Sequence, residues 1–259
     1  MSAGHAAASG PHLMATRAEI LRELGLAPQW RLRSHAGAGG SATPAVAGSA
    51  TLDAAAAPET ADARQARIAA LDRDALVAEI AGCTACALCR TRRNTVPGVG
   101  DPKARWLFVG EAPGADEDAQ GEPFVGQAGR LLDNMLAALG LGRSNDVYIA
   151  NVLKCRPPNN RTPEPIEVEA CRPFLDRQIE LVAPKLIVAL GKSAASALLR
   201  SDASVANLRN RIHRYRGIPL IVTYHPAYLL RTPVDKAKAW EDLLFARRTL
   251  RESLAAAGA

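Results

Sequence analysis

Four short apolar segments, each followed by a turn and an amphipathic stretch, constrain the fold of this chain more than any other feature. They comprise residues 106–109, 147–150, 185–190 and 220–224. The stretches between them have helical periodicity, and residues 237–250 form a predicted closing helix. Because alternating strands and helices produce a parallel sheet with right-handed crossovers, we predict an α/β fold: three layers, α/β/α, with a central four-stranded parallel sheet.

Three polar residues stand just past the carboxyl ends of predicted strands: Glu111, Asn151 and His225. Sheets of this kind bind ligands beyond the carboxyl ends of their strands. Any one of these residues alone is more often a capping or loop residue. Three polar groups that converge at one edge of a sheet, however, predict a functional site.

The amino-terminal part of the chain has a different composition. Residues 34–63 consist mainly of Ala, Gly, Ser, Thr and Pro and offer no aromatic residue to bury. Before them, Ile20, Leu21 and Leu24 lie near one face of a short predicted helix. We therefore predict that residues 1–70 form a flexible extension with an amphipathic helix near 17–25, and that residues 71–255 form the folded domain.

Charge and hydropathy limit the classes of function. No apolar run approaches the roughly 20 residues needed to cross a bilayer, and residues 1–13 lack the regions of a signal peptide. We therefore expect a cytoplasmic protein. The net charge of +6 favours a polyanionic partner, although solvated Lys and Arg side chains also account for so mild a surplus.

Five cysteines in a reducing compartment suit metal ligation better than disulfides. Cys83 and Cys86 form a C-x-x-C pair, whereas Cys155 and Cys171 form a wider pair with fifteen residues between them. Four thiolates suit tetrahedral zinc or an iron–sulfur cluster, and the wide second pair favours a [4Fe–4S] cluster without settling the choice. Cys89 is interpreted as a partly buried free thiol, with a share in ligation as the alternative.

Two segments carry side chains that suit a nucleobase and its phosphates. Phe124 can present its ring to a flat base, although a core phenylalanine is the simpler interpretation. The Asn151 amide can both donate to and accept from a base edge such as that of uracil, although an asparagine at a strand end is more often a turn residue. The cations that follow it are predicted phosphate contacts: Lys154, Arg156 and Arg161.

The segment after the last strand adds a hydrogen-bond donor and an apolar wedge. His225, at the mouth of the sheet, can donate a hydrogen bond to a leaving group. Leu229 and Leu230, beside Arg231, have the character of a wedge for a base stack. Ordinary core packing of the two leucines is an equal alternative.

Several ordered blocks within about residues 71–250 resemble one known family. The blocks are Cys-x-x-Cys at 83–86, Gly-Glu-Ala-Pro-Gly at 110–114, Gly-Glu-Pro-Phe-Val-Gly at 121–126, Asn-Val-Leu-Lys-Cys-Arg-Pro-Pro at 151–158, Cys171, and His-Pro-Ala-Tyr-Leu-Leu-Arg at 225–231. Chance agreement across all of them in this order is negligible. The domain resembles the family 4 uracil-DNA glycosylases, the iron–sulfur branch of the uracil-DNA glycosylase superfamily.

The resemblance implies a cofactor and a uracil pocket. It implies a structural [4Fe–4S] cluster on Cys83, Cys86, Cys155 and Cys171. It makes Phe124 the ring that stacks on a flipped uracil, Asn151 the reader of its polar edge and His225 the donor to its departing oxygen.

The same resemblance assigns an acidic motif and a DNA-facing surface. Glu111 and Glu117 fall in the motif that positions water or stabilises the sugar cation, and Ala112 beside them is an expected uracil contact. Asn160 matches a further active-site asparagine. The expected DNA contacts are Lys154, Arg156, Arg161, Leu229, Leu230 and Arg231.

The implied activity is that of a DNA repair hydrolase. We expect it to flip uracil out of single- or double-stranded DNA and hydrolyse the N-glycosidic bond, which leaves an abasic site and starts base excision repair. A monomer at the nucleoid is expected, and deletion of residues 1–65 should change activity little in vitro. The alternatives are a covalent or non-catalytic uracil-DNA binding protein, and a protein whose amino-terminal helix docks on a repair or replication partner. A sister group traps uracil-DNA through a histidine in an insertion, but His213 is interpreted as a loop residue.

Overall fold

A computed structural model describes residues 59–257, and the strands in this part of the chain form one sheet. The strands are β1 (Val99–Gly100), β2 (Trp106–Gly110), β3 (Val147–Asn151), β4 (Leu186–Leu190), β5 (His213–Tyr215) and β6 (Ile218–Thr223). Their spatial order is β1-β3-β2-β4-β6-β5, in which the inner four strands are parallel and the two edge strands are antiparallel to their neighbours. The predicted four-stranded parallel sheet is confirmed as the centre of a six-stranded sheet, whose two short edge strands were not predicted from the sequence.

Helices cover both faces of this sheet. They are α1 (Ala61–Ala69), α2 (Arg73–Gly82), α3 (Ala115–Gln120), α4 (Gln127–Ala138), α5 (Pro165–Val182), α6 (Lys192–Leu199), α7 (Val205–Leu208), α8 (Pro226–Arg231) and α9 (Lys236–Ala257). Short 3-10 turns occupy Ala87–Arg90, Pro158–Asn160 and Pro233–Asp235. No helix within residues 59–257 is long and apolar enough to span a membrane.

Alternate residues of the central strands face two separate cores, because successive side chains of a strand point to opposite faces. Leu107 and Val109 of β2 pack in the core that α1, α2, α5, α6 and α7 cover. Trp106 and Phe108 pack in the other core, with residues of α4 and α9. The predicted three layers are therefore confirmed, and strands buried on both faces explain why their segments are continuously apolar.

Helix α1 lies inside the range predicted as a flexible extension, yet it packs on the domain. Ile68 is completely buried, and Thr60 caps the helix by accepting the Ala63 N–H at 3.2 Å. Arg64 Nη1 donates to the carbonyl of Ala170 at 2.9 Å, and its guanidinium lies 4.9 Å from the ring centroid of Phe174. The predicted boundary at residue 70 is therefore too late. The predicted helix near 17–25 lies outside the described residues.

His213 is also placed differently from the prediction. It belongs to edge strand β5 rather than to a loop, and its Nε2 lies 2.8 Å from the carbonyl oxygen of Leu208. The side chain is therefore engaged with the backbone beside the sheet edge.

Deleting residues 1–70 is expected to destabilise the domain, whereas deleting residues 1–58 removes no contact among the described residues. The longer deletion uncovers the core under Ile68, at a cost of about 3 kcal/mol or more, which lowers the thermal midpoint by about 6 to 12 °C. Thermal unfolding of both truncated proteins beside the full chain measures this difference. Equal thermal midpoints for the two truncated proteins would contradict the assignment of α1 to the domain. Deletion of residues 1–65 should lower the thermal midpoint as the deletion of residues 1–70 does.

Candidate functional site

A cavity of about 430 Å³ opens at the carboxyl ends of β2, β3 and β6. It brings together Glu111, Asn151 and His225, as the positions of these residues after predicted strands indicate. The other predicted site residues that line it are Ala112, Glu117, Phe124, Asn160, Arg161 and Arg231. A second cavity of about 520 Å³ shares Glu111 and extends towards α5 and α6.

Asn151 presents an unsatisfied acceptor at this cavity. The residue ends β3 and is 2% exposed, and its Oδ1 has no hydrogen-bond partner within the described part of the chain. Gly110 lies beside it, and a Cβ at Gly110 would stand only 2.3 Å from Oδ1. Because a buried polar atom without a partner is costly, this oxygen is suited to an N–H of a bound ligand.

The Phe124 ring forms one wall of the cavity. It stacks on the His225 ring with centroids 5.6 Å apart and planes at 30°. Its backbone is left-handed, with φ of 56°, and it contacts α4 so closely that a Cβ at Gly129 would overlap the Phe124 carbonyl. A flat ring fixed in this way can stack on a flat ligand.

Arg143, which was not among the residues predicted from the sequence, fixes the Phe124 loop. It donates to the carbonyls of Phe124 and Pro123, the latter at 2.9 Å, and its Nε lies 2.7 Å from Asp133 Oδ1. Its partners are distant in sequence and no motif surrounds it, so no local signal could have identified it.

Glu117 holds the two glycine-rich loops together. Its carboxylate accepts the backbone N–H groups of Gly114 and Val125, each at 3.0 Å, and of Gly126 at 3.2 Å. By contrast, the Glu111 carboxylate forms no hydrogen bond with another described residue. The geometry therefore separates the two acids: Glu117 organises the cavity wall, and Glu111 is free to meet a ligand.

His225 is neutral and oriented by its own helix. It precedes α8, and its Nδ1 accepts the Ala227 N–H at 3.1 Å, so the ring proton resides on Nε2. Burial and then the positive charge of Arg231 lower the pKa of His225 to about 4, against a raising influence of Glu117. A partly buried Nε2–H donor that stays neutral near pH 7 suits an oxygen that gains negative charge.

The pKa of His225 predicts a pH dependence of stability. Between the ordinary pKa near 6.5 and about 4, the unfolded chain binds a proton that the folded chain does not bind. The free energy of unfolding therefore falls as the pH falls through this window, by about 2 kcal/mol between pH 7 and pH 5. Urea unfolding of wild type and His225→Gln at both pH values tests this, because the variant lacks the titrating group. Equal losses in the two proteins would contradict the prediction.

The cysteines converge on a separate cavity. Cys83 directly follows α2, Cys86 precedes the Ala87–Arg90 turn, Cys155 lies in the loop after β3, and Cys171 lies on α5. All four line this cavity, and so does Cys89. Within residues 59–257, no group of three or more His, Cys, Asp or Glu side chains is arranged to hold a single metal ion.

The surroundings of these sulfurs fit a metal–thiolate group. Arg92 Nη1 lies 3.2 Å from the sulfur of Cys155, and Arg64 Nη2 lies 3.7 Å from the sulfur of Cys83. The backbone N–H of Lys154 donates to the sulfur of Cys171 at 3.3 Å. Burial raises the pKa of the Cys171 thiol, and the nearby Lys154 acts in the opposite direction. Four thiols at one cavity, with N–H donors to the sulfurs, are the donor set that an iron–sulfur cluster uses.

The predictions that Lys154 and Leu229 contact DNA are wrong. Lys154 is 1% exposed, and its Nζ donates to the carbonyl of Asn151 at 2.7 Å and to Gln178 Oε1 at 2.6 Å, so it cannot reach a phosphate. Leu229 is 1% exposed and belongs to the packed interior, whereas Leu230 is 41% exposed. Only the second leucine is available as a wedge.

The other predicted cations lie near the cavity. Arg231 is exposed at its rim. Arg156 Nε donates to Asn160 Oδ1 at 2.7 Å, and Arg161 forms a two-bond ion pair with buried Glu167 at 2.6 and 2.9 Å. Arg161 therefore lines the cavity with its charge already paired.

Comparison with known proteins agrees with this geometry. The family described as "Uracil DNA glycosylase superfamily" matches residues 97–244. The type-4 uracil-DNA glycosylase of Archaeoglobus fulgidus is 48% identical over 168 residues, which cover 62% of this chain and 84% of that protein. The type-4 enzyme of Thermotoga maritima is 51% identical over 151 residues, covering 58% and 78%. The type-5 uracil-DNA glycosylase of Thermus thermophilus is 35% identical over 153 residues, covering 50% and 68%. The chain belongs to the uracil-DNA glycosylase superfamily, and within it to the type-4 family.

Proposed function

We propose that this protein excises uracil from DNA by hydrolysing the N-glycosidic bond, which leaves an abasic site and starts base excision repair. The observation that carries the proposal is the orphaned Oδ1 of Asn151, which faces a cavity walled by a fixed ring, Phe124, and a neutral donor, His225. The type-4 relatives are uracil-DNA glycosylases, which supports uracil as the base.

Recognition begins with base extrusion, because the glycosidic bond is out of reach inside a duplex. In the proposed complex, the extruded uracil stacks on Phe124. The Asn151 Oδ1 accepts the ring N–H of uracil, which satisfies its missing hydrogen bond. Ala112 lines the same cavity.

Bond cleavage separates two charges that the cavity can stabilise. As the bond between C1′ and N1 breaks, the electron pair moves to uracil and the sugar gains positive charge. The Nε2–H of His225 donates to the uracil oxygen that becomes negative, and the Glu111 carboxylate stabilises the sugar cation or orients water. Water then adds to C1′, and its proton leaves with the departing base or to solvent.

Residues at the rim provide the proposed DNA contacts. Arg231 and Arg156 meet phosphates, and Leu230, which is 41% exposed, helps fill the gap that uracil leaves. Asn160 and Arg161 also line the cavity, and Asn160 accepts a hydrogen bond from Arg156.

We further propose a [4Fe–4S] cluster on Cys83, Cys86, Cys155 and Cys171. When bound, it supplies a structural cross-link rather than a group that reacts with uracil. The four residues connect the end of α2, the loop after β3 and the middle of α5. That loop continues from Asn151, so the cross-link supports the uracil pocket.

Incubation of anaerobically purified protein with a labelled oligonucleotide that holds one uracil tests the function. Half of the sample is treated with alkali, and half is run on a denaturing detergent gel. We expect cleavage at the uracil only after alkali, which marks an abasic product. A detergent-stable protein–DNA band without cleavage would instead support the covalent alternative.

Two variants separate an enzyme from a binding protein. Glu111→Gln and His225→Ala are expected to lose turnover by about a hundredfold or more while they retain uracil-DNA binding. Unaltered turnover in both variants would refute the assigned roles.

A further inference from the structure

Lys154 contacts both the uracil pocket and the cysteine cavity. Its Nζ donates to the backbone carbonyl of Asn151 at 2.7 Å, and its own backbone N–H donates to the sulfur of Cys171 at 3.3 Å. The side chain is 1% exposed, so these contacts lie away from the protein surface. One residue thus joins the backbone of the proposed uracil reader to a proposed cluster ligand.

The groups that form hydrogen bonds with Lys154 are held in place by further hydrogen bonds. Its Nζ donates at 2.6 Å to Oε1 of Gln178, which lies on α5 with Cys171. The Gln178 amide donates to the carbonyl of Pro97 at 2.5 Å, and the carbonyl of Lys154 accepts the Val96 N–H at 2.8 Å. These hydrogen bonds connect α5 and the loop after β3 to the carbonyl of Asn151 through Lys154.

We propose that Lys154 is a positioning residue that fixes Asn151 relative to the cysteine site. Occupation of that site and uracil recognition are therefore coupled. This inference rests on the proposed function. It assigns Lys154 a role in selecting the base rather than in contacting the DNA backbone.

The test uses Lys154→Met, which keeps the length of the side chain and removes the ammonium. Iron and sulfide contents are measured first. Binding is then measured to a duplex with a 2′-fluorinated deoxyuridine, whose glycosidic bond resists hydrolysis, and to the same duplex with an abasic-site analogue. We expect intact iron, unchanged affinity for the abasic duplex, and about ten- to a hundredfold weaker affinity for the uracil analogue.

Gln178→Met keeps the proposal testable if Lys154→Met fails to fold, because it removes one Nζ acceptor and leaves the lysine in place. We expect a smaller loss, about three- to tenfold, for the uracil analogue alone. Unchanged affinity for the uracil analogue in Gln178→Met and in any folded Lys154→Met would overturn the coupling. An equal loss of affinity for the uracil duplex and the abasic duplex would overturn it as well. If wild type neither excises uracil nor prefers the uracil analogue, the proposed function itself fails.

Discussion

Replacing Cys171 with alanine is expected to abolish cluster binding and, with it, uracil excision. Cys171 lies on α5 with its sulfur buried against the Lys154 backbone, so alanine at this position removes a sulfur donor from the interior of the site. Because the binding energy of a structural metal site is part of the folding energy, the thermal midpoint should fall by more than about 10 °C. Iron and acid-labile sulfide per chain, thermal unfolding and excision of uracil measure the three effects.

Cys89→Ala is the matched control for this experiment. Cys89 lines the same cavity but is interpreted as a free thiol. We expect the control to keep full iron content and full activity. A Cys171→Ala protein that retains both would show that Cys171 is not a ligand, and loss of iron in Cys89→Ala would give Cys89 a share in ligation.

The central sheet could be predicted because its signal is local. Strands buried on both faces are continuously apolar, and the segments that contain Leu107, Ile149, Val188 and Ile221 are of this kind. Parallel strands end at one edge of the sheet, so the positions of polar residues after each strand predicted their convergence. The edge strands have no such signal, because β1 has only two residues and β5 is polar.

The surroundings of individual polar side chains could not be predicted in the same way. A lysine in a basic segment predicts a phosphate contact. Lys154 is buried instead, because Gln178, from a helix distant in sequence, supplies a hydrogen-bond acceptor beside the carbonyl of Asn151. Arg161 likewise meets the buried carboxylate of Glu167. Residue type gives the chemistry available to a side chain, whereas its distant neighbours decide whether that chemistry is already used.

The same limit applies to the apolar wedge and to the amino-terminal boundary. Leu229 and Leu230 are identical in type, and only the helical turn of α8 places the first inside and the second outside. In α1, a composition rich in small residues predicted flexibility, but Ile68 and Arg64 give the helix contacts with α5. A few well-placed contacts outweigh composition over so short a segment.

Replacing Gly110 with alanine is expected to reduce uracil excision by at least about a hundredfold. A Cβ at this position would stand 2.3 Å from Asn151 Oδ1 and 2.6 Å from the Phe124 Cζ atom. Both distances are far below van der Waals contact, so the added methyl must displace the base reader, the stacking ring or both. Gly110 ends the buried strand β2, which leaves the backbone no room to move instead. Single-turnover excision and binding to the 2′-fluorinated duplex measure the effect.

Gly142→Ala is the matched control, since a Cβ there meets no atom within 4 Å and its backbone is not left-handed. The control should excise uracil at the wild-type rate. Gly110→Ala can either close the pocket of a folded domain or disrupt strand β2, and thermal unfolding distinguishes these consequences. A closed pocket leaves the thermal midpoint near that of wild type, whereas a disrupted strand lowers it. If Gly110→Ala folds and excises uracil normally, Asn151 and Phe124 do not form the two contacts with uracil that we assign to them. The close packing of these two side chains on one glycine makes the substitution a direct test of the pocket, because it changes neither of the proposed recognition groups.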